Sequence, residues 1–166
     1  MNYRIEQLKE GDWRRLREVR LRSLADMPDA FGSTLEREEA FSDEEWMRRV
    51  AREDAATFVA VTDDGREIGL VTMAPYGDDV GLFGMWVDPD FRKEGVGGLL
   101  IDHGVHWARE GGFANVILDV GDHNHAAIAL YQSRGFNLTG QTSTLPAPRE
   151  HISEHQRLLE LTDEGG

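Results

Sequence analysis

The residues best suited to chemistry lie between positions 82 and 136. Leu82-Phe83-Gly84-Met85-Trp86-Val87 reads as a buried strand, and Pro89 ends it. Arg92-Lys93-Glu94-Gly95-Val96-Gly97-Gly98 follows, and Val96, Leu99, Leu100, His103 and Trp107 then recur at helical spacing. A helix is therefore expected to start near Gly95 to Gly97. Its first turn offers unpaired backbone N–H groups and the positive end of the helix dipole, and glycines let a bulky anion approach that backbone. With the cations Arg92 and Lys93 alongside, the stretch suits a phosphate group. The plain alternative is an ordinary Gly-containing strand-to-helix turn.

Spacing excludes two other phosphate loops. A Walker loop needs Gly-Lys-Ser/Thr, which is absent, and a dinucleotide fingerprint needs a third glycine where Leu100 stands. What remains, Arg92-x-x-Gly95-x-Gly97, resembles the acyl-CoA pyrophosphate signature Gln/Arg-x-x-Gly-x-Gly/Ala of the GNAT superfamily of N-acetyltransferases. Further on, Val116-Ile117-Leu118-Asp119-Val120 reads as a second buried strand. It is followed by a helix that Asn124 is placed to cap, with Gly135 just past its end. The pattern Asn124-x-x-Ala127-x-x-Leu130-Tyr131-x-x-x-Gly135-Phe136 resembles the second GNAT signature, in the right order and at the right distance.

The resemblance implies a fold in which two central parallel strands splay apart and the pantetheine arm of acetyl-CoA lies in the opening. Here the arm would run along Met85, Trp86 and Val87, with the pyrophosphate on Arg92, Lys93, Gly95, Val96, Gly97 and Gly98, and Asn124 touching the CoA arm. Tyr131 resembles the general acid of these enzymes. Leu118-Asp119-Val120 resembles the Leu-Glu-Val of ribosomal-protein N-terminal acetyltransferases, whose Glu serves as base twelve residues before the tyrosine, and Asp119 keeps that spacing with a shorter side chain. A homodimer is common in the family.

Acetyl transfer makes two demands. An alkyl amine with a pKa near ~10.4 is mostly protonated at neutral pH, so exposing its lone pair costs roughly 4 to 5 kcal/mol and a base or water relay helps. The departing thiolate then needs stabilising. With reference values of about 10 for tyrosine and about 8.5 for a thiol, proton donation by Tyr131 is uphill by roughly 2 kcal/mol, so hydrogen bonding can serve as well as transfer. Asp119 is expected to act through a water or with a pKa raised by burial. The structural alternatives are a core aromatic on the helix face of Ala127 and Leu130, and a carboxylate that holds a neighbouring loop.

Composition narrows the function classes. At 166 residues with 40% hydrophobic content the chain can bury one sizeable core, so residues 1–166 are expected to form a single domain. The polar N-terminus and the lack of a long apolar run point to a cytoplasmic protein without a membrane partner. The absence of cysteine removes disulfides, thiolate metal sites and a cysteine-linked acyl-enzyme, so if acetyl is transferred, direct attack on bound acetyl-CoA is the simpler mechanism. A net charge of -13 argues against nucleic acid. That acidity suits a cationic amine, or simply a soluble surface.

In chain order, Tyr3 to Glu6 reads as a short strand, and Asp12 is placed to cap a helix running to about Ala25, which Pro28 breaks. Asp29 to Thr34 reads as a loop, and Ser42-Asp43-Glu44-Glu45 is a capping box opening a helix to about Arg52. Strands at Thr57–Val61 and Ile68–Met73 flank a hairpin signal at Asp64-Gly65, and Pro75 to Asp79 makes the turn into Val80–Val87. The crossover from Val87 to Val116 makes those two strands parallel. Phe136 to about Thr142 and Ile152 to Leu161 complete the strands, Leu145 to Pro148 is a loop, and the tail 162–166 is expected to fray. The architecture is α+β: a mixed, mainly antiparallel sheet with helices on both faces.

Other ionisable residues carry weaker readings. Glu36, Glu38 and Glu39 border the acceptor region of the family and could grip a cation, or form a solvated face. His123 and His125 flank Asn124 and could shuttle protons, or stand idle in a loop. His103 is expected in the core of its helix, and with His106 it lacks an evident third metal ligand, so no metal is expected. The sequence thus points to transfer of an acetyl group from acetyl-CoA to a primary amine, on a small molecule or a peptide N-terminus. The alternative is a non-catalytic acyl-CoA-binding sensor or partner module.

Overall fold

A computed structural model describes residues 2–161, and the tail expected to fray lies outside them. Strands β1 (Tyr3–Gln7), β2 (Ala56–Thr62), β3 (Glu67–Tyr76), β4 (Asp79–Val87), β5 (Asn115–Gly121), β6 (Asn137–Thr144) and β7 (Ser153–Glu160) form one sheet in the order β1-β2-β3-β4-β5-β7-β6. Every neighbouring pair is antiparallel except β4 and β5, which are parallel. The helices are α1 (Trp13–Asp26), α2 (Leu35–Glu39), α3 (Asp43–Ala51), α4 (Val96–Glu110) and α5 (His125–Ser133). None is long and apolar enough to cross a membrane.

Alternation along the strands feeds two cores. On one face Val71, Met73, Val116, Leu118 and Val120 pack with Leu100, Ile101 and Val105 of α4 and Tyr131 of α5. On the other, Val59, Val61, Leu70 and Trp86 pack with Leu16, Val19 and Leu24 of α1 and Trp46 of α3. Trp46 is fully buried, with Phe41 edge-on at 5.7 Å. Burying one such side chain contributes roughly 1.5 to 3 kcal/mol, so the fold rests on both faces.

The parallel pair is joined at only two positions, Val80↔Val116 and Gly81↔Ile117. Beyond them β4 and β5 diverge. Strand β4 also carries a bulge: Leu70 pairs with Trp86 and Thr72 with Phe83, so Gly84 and Met85 together oppose Val71.

Several local expectations change. Asp12 precedes α1 but makes no side-chain cap; its carboxylate accepts the Lys9 N–H at 2.8 Å, closing the preceding turn instead. The run after Thr34 is helix α2, because the Thr34 hydroxyl caps it by accepting the Arg37 N–H. Pro75 continues β3, so the turn narrows to Gly77-Asp78. His103 and Leu99 are exposed rather than in the core: the buried stripe of α4 runs through Val96, Leu100, Ile101, Val105 and Ala108, about one position round from the expected one. His103 keeps one aromatic neighbour, Phe58, at 6.1 Å.

Candidate active site

The strand-to-helix turn is built by local chemistry and held by distant residues. Asp88 caps a short 3-10 turn at Pro89–Phe91 by accepting the Asp90 N–H, and Arg22 and Arg66 both bind its carboxylate. Lys93 (φ 70°) and Gly95 (φ 85°) then take left-handed backbone to start α4, a geometry glycine adopts without strain and lysine does not. The first hydrogen bond into the helix runs from the Leu99 N–H to the Gly95 carbonyl. The N–H groups of Val96, Gly97 and Gly98 come before it and have no protein partner among the described residues.

Those N–H groups border a cavity of about 390 Å³. Met85, Trp86, Val87, Arg92, Lys93, Gly95, Val96, Gly97, Gly98 and Asn124 all line it, joined by Ala127 and Leu130 of α5. Residues of β4, the turn, α4 and α5 are thus brought to one place, and three free donors at a helix start fit a pyrophosphate.

The parts play different roles from those their types imply. Arg92 is tied to the Asp26 carboxylate and donates through Nε to the Val87 carbonyl at 3.0 Å, so its charge is largely absorbed within the protein. Lys93 forms no ion pair among the described residues and is the available cation. At Gly97 a Cβ would lie 2.8 Å from Leu130, and at Gly98 it would strike the Arg134 guanidinium, which is paired with Asp102. The two glycines therefore admit Leu130 of α5 and Arg134 just past its end, while their N–H groups stay free. Trp86 is buried and donates its indole N–H to Asp26 at 2.9 Å, leaving its main chain for the cavity. Asn124 caps α5 by accepting the Ala127 N–H at 3.3 Å.

Tyr131 is buried in the α4/α5-side core, edge-on to Phe136 at 5.8 Å, and its hydroxyl has no hydrogen-bond partner among the described residues. Burial raises its pKa well above the ordinary tyrosine value. Asp119 lies between Leu118 and Val120 of that core, so alternation brings it out on the opposite face, where it is exposed. Tyr131 and Asp119 stand on opposite faces of the sheet, and neither lines the cavity.

Asp119 belongs to a polar network that the sequence did not disclose. Tyr76 donates its hydroxyl to Asp119 at 3.0 Å and accepts from Gln156 at 3.0 Å, and Thr139 donates to Gln156 at 2.9 Å. Phe83 stacks on Tyr76 at 6.2 Å. Nearby Glu154 is half-buried, and desolvation first, with the Asp119 charge behind it, holds its carboxyl above the usual range. The sequence of β7 shows no apolar alternation, and no spacing rule ties it to Tyr76.

Of the remaining candidates, Glu36 and Glu39 are exposed, whereas Glu38 is 1% exposed. His123 and His125 are exposed and line neither cavity. Among the described residues no group of three or more His, Cys, Asp or Glu side chains is arranged to hold a metal ion.

A seven-stranded mixed sheet opened at its one parallel pair, with a helix starting at the mouth of the opening, is the architecture of the GNAT acetyltransferases. Residues 14–136 match the model of the Acetyltransferase (GNAT) family, and the chain belongs to that family. Among curated proteins it is similar to N-acetyltransferase 8 of Homo sapiens, at 33% identity over 96 residues, covering 54% of this chain and 42% of that one. It is also similar to the [ribosomal protein bS18]-alanine N-acetyltransferase of Escherichia coli K12, at 36% over 77 residues, covering 46% of this chain and 52% of that one. The aligned parts thus span about half or less of the length of these relatives. The crystal structure of the ribosomal-protein-S18-alanine N-acetyltransferase from Escherichia coli superposes with a TM-score of 0.71 at 21% identity, covering 97% of this chain and 95% of that one, a likeness of fold.

Proposed function

We propose that the chain transfers an acetyl group from acetyl-CoA to a primary amine, on a small molecule or a peptide N-terminus, by direct attack in a ternary complex. The observation that carries this reading is the single cavity shared by the β4 main chain, the free N–H groups of α4 and the start of α5. Acetyl-CoA supplies a thioester whose carbonyl carbon accepts the amine nitrogen as the C–S bond breaks.

In this reading Val96, Gly97, Gly98 and Lys93 hold the pyrophosphate, and Met85, Trp86 and Val87 line the pantetheine arm, with Asn124 beside it. Asp119 takes the amine proton from its own face of the sheet, directly or through water, and Tyr131 stabilises the leaving thiolate from the other face. Because burial raises its pKa, Tyr131 acts by donating a hydrogen bond rather than by giving up its proton. The exposed edge strand β6 is assigned to contact with a second copy of the chain, which sedimentation tests.

Incubating the protein with acetyl-CoA and a panel of amines and short peptides, and identifying acetylated products by mass spectrometry, tests the reading. The burial of Tyr131 favours a second one, a non-catalytic acyl-CoA-binding module. Such a module is thermally stabilised by acetyl-CoA and forms no product.

A further inference from the structure

A second cavity, of about 360 Å³, lies on the other face of the sheet, between α1, α2, α3 and strands β2 to β4. The two are lined by consecutive residues at the bulge, Gly84 for the second cavity and Met85 for the first. Its charge departs from that of the chain. Against a net charge of -13, its ionisable lining consists of Arg20, Arg37, Arg49 and Arg52 with Glu38 as the one carboxylate.

Glu38 is shared. Arg20 binds it through Nε at 3.0 Å and Nη2 at 3.1 Å, and Arg49 binds it through Nη1 at 3.3 Å while its Nε reaches Glu45, outside the cavity lining, at 3.4 Å. Arg20 Nη1 lies against the bulge, where a Cβ on Gly84 would sit 3.0 Å from it. Arg37 has no ion-pair partner among the described residues, and Arg52 pairs with Asp54, which lies outside the cavity lining. Desolvation, helped by the charges of Arg20 and Arg37, outweighs the pull of Glu38 and holds Arg49 below its ordinary pKa. If this cavity receives the acceptor, a bare cationic amine would meet repulsion in it. A group of opposite charge would be drawn in and paired by the guanidinium forks.

We propose that the acceptor is a small amino-carboxylate, its carboxylate held by the Arg20, Arg37 and Arg49 side of this cavity and its amine presented at the Gly84–Met85 bulge. This rests on the acetyltransferase reading and names the substrate class of that site. The cavity volume fits a small molecule. The planar guanidiniums match a carboxylate better than a single ammonium would.

The test compares amino acids with their amides and with the corresponding decarboxylated amines, in turnover and in calorimetric binding to CoA-loaded protein. The expected result is at least a tenfold preference for the acid in kcat/KM and in binding. Arg37→Gln is expected to raise KM for the acid at least threefold and shrink that preference, and Arg37→Lys to restore part of it. Arg37 lies on the exposed side of α2 and makes no ion pair, so folding of the variant is not at issue. Equal handling of acid and amide, or a preference untouched by Arg37→Gln, overturns the proposal. Binding that prefers the acid with no turnover of any acceptor supports the anion site and overturns the transferase reading instead.

Discussion

Gly84 and Met85 are neighbours in β4, share one partner across the strand, Val71, and line different cavities on opposite sides of the sheet. Successive residues of a strand face opposite sides of the sheet, and the bulge sets these two beside the point where β5 diverges from β4.

Gly84→Ala tests the bulge. Gly84 sits at φ 61°, and its Cβ would press on Arg20 Nη1. The left-handed conformation costs a non-glycine residue about 1 to 2 kcal/mol, which lowers Tm by about 2 to 8 °C for a chain of this size. The acceptor KM is expected to rise while the affinity for acetyl-CoA, measured by calorimetry, stays near wild type.

Glu38 makes the protein acid-sensitive. Burial pushes its carboxyl up, but the hydrogen bonds and charge of Arg20, with Arg49 behind, outweigh that and hold it below the usual value. The unfolded chain therefore binds this proton more tightly than the folded one. The stability it contributes is present above the unfolded value of 4.5 and is lost as pH falls through the folded one. Glu38→Gln removes that acid dependence. It also leaves the Arg20 guanidinium uncompensated, while Arg49 keeps Glu45 at 3.4 Å, at a cost of about 3 kcal/mol at neutral pH, read from urea unfolding.

Lys93→Gly separates stability from binding. Relief of left-handed strain, about 1 to 2 kcal/mol, is offset in part by the greater freedom of glycine in the unfolded chain, about 0.5 to 1 kcal/mol. Tm is expected to hold or rise slightly. Acetyl-CoA affinity is expected to fall about three- to tenfold, less at high salt, because the available cation at the helix start is gone.

Asp119→Asn retains the shape that accepts the Tyr76 hydroxyl and removes the charge. Turnover is expected to fall at least tenfold with Tm nearly unchanged, since Asp119 is exposed. Loss of stability with normal turnover would make it a structural carboxylate. The same substitution removes a charge that holds Glu154 up, so any pH-rate limb belonging to Glu154 shifts to lower pH.

The start of α4 at Gly95, the Asn124 cap and the strands on either side were legible in the sequence because each depends on residues a few positions apart. The missed features depend on distant partners. The charge of Arg92 is absorbed by Asp26, 66 residues earlier. Helix α2 is short for its propensity to decide, and it is held by the Thr34 cap and by Glu38 reaching Arg20 and Arg49. Tyr131 could be placed on a helix, but its burial follows from how α5 packs against Phe136 and the sheet. Leu99 and His103 were misplaced because a helical stripe allows a shift of one position, which the packing of α4 on β2 and β3 resolves.

The most direct test measures free thiol released from acetyl-CoA in the presence of the acceptor panel, with wild type and Tyr131→Phe side by side. The expected result is amine-dependent release that falls about tenfold or more in the variant, with acetyl-CoA binding intact in both and no alkaline loss of rate below pH ~10 traceable to Tyr131. No release with any acceptor, despite firm acetyl-CoA binding, would contradict the account and make the protein an acyl-CoA-binding module.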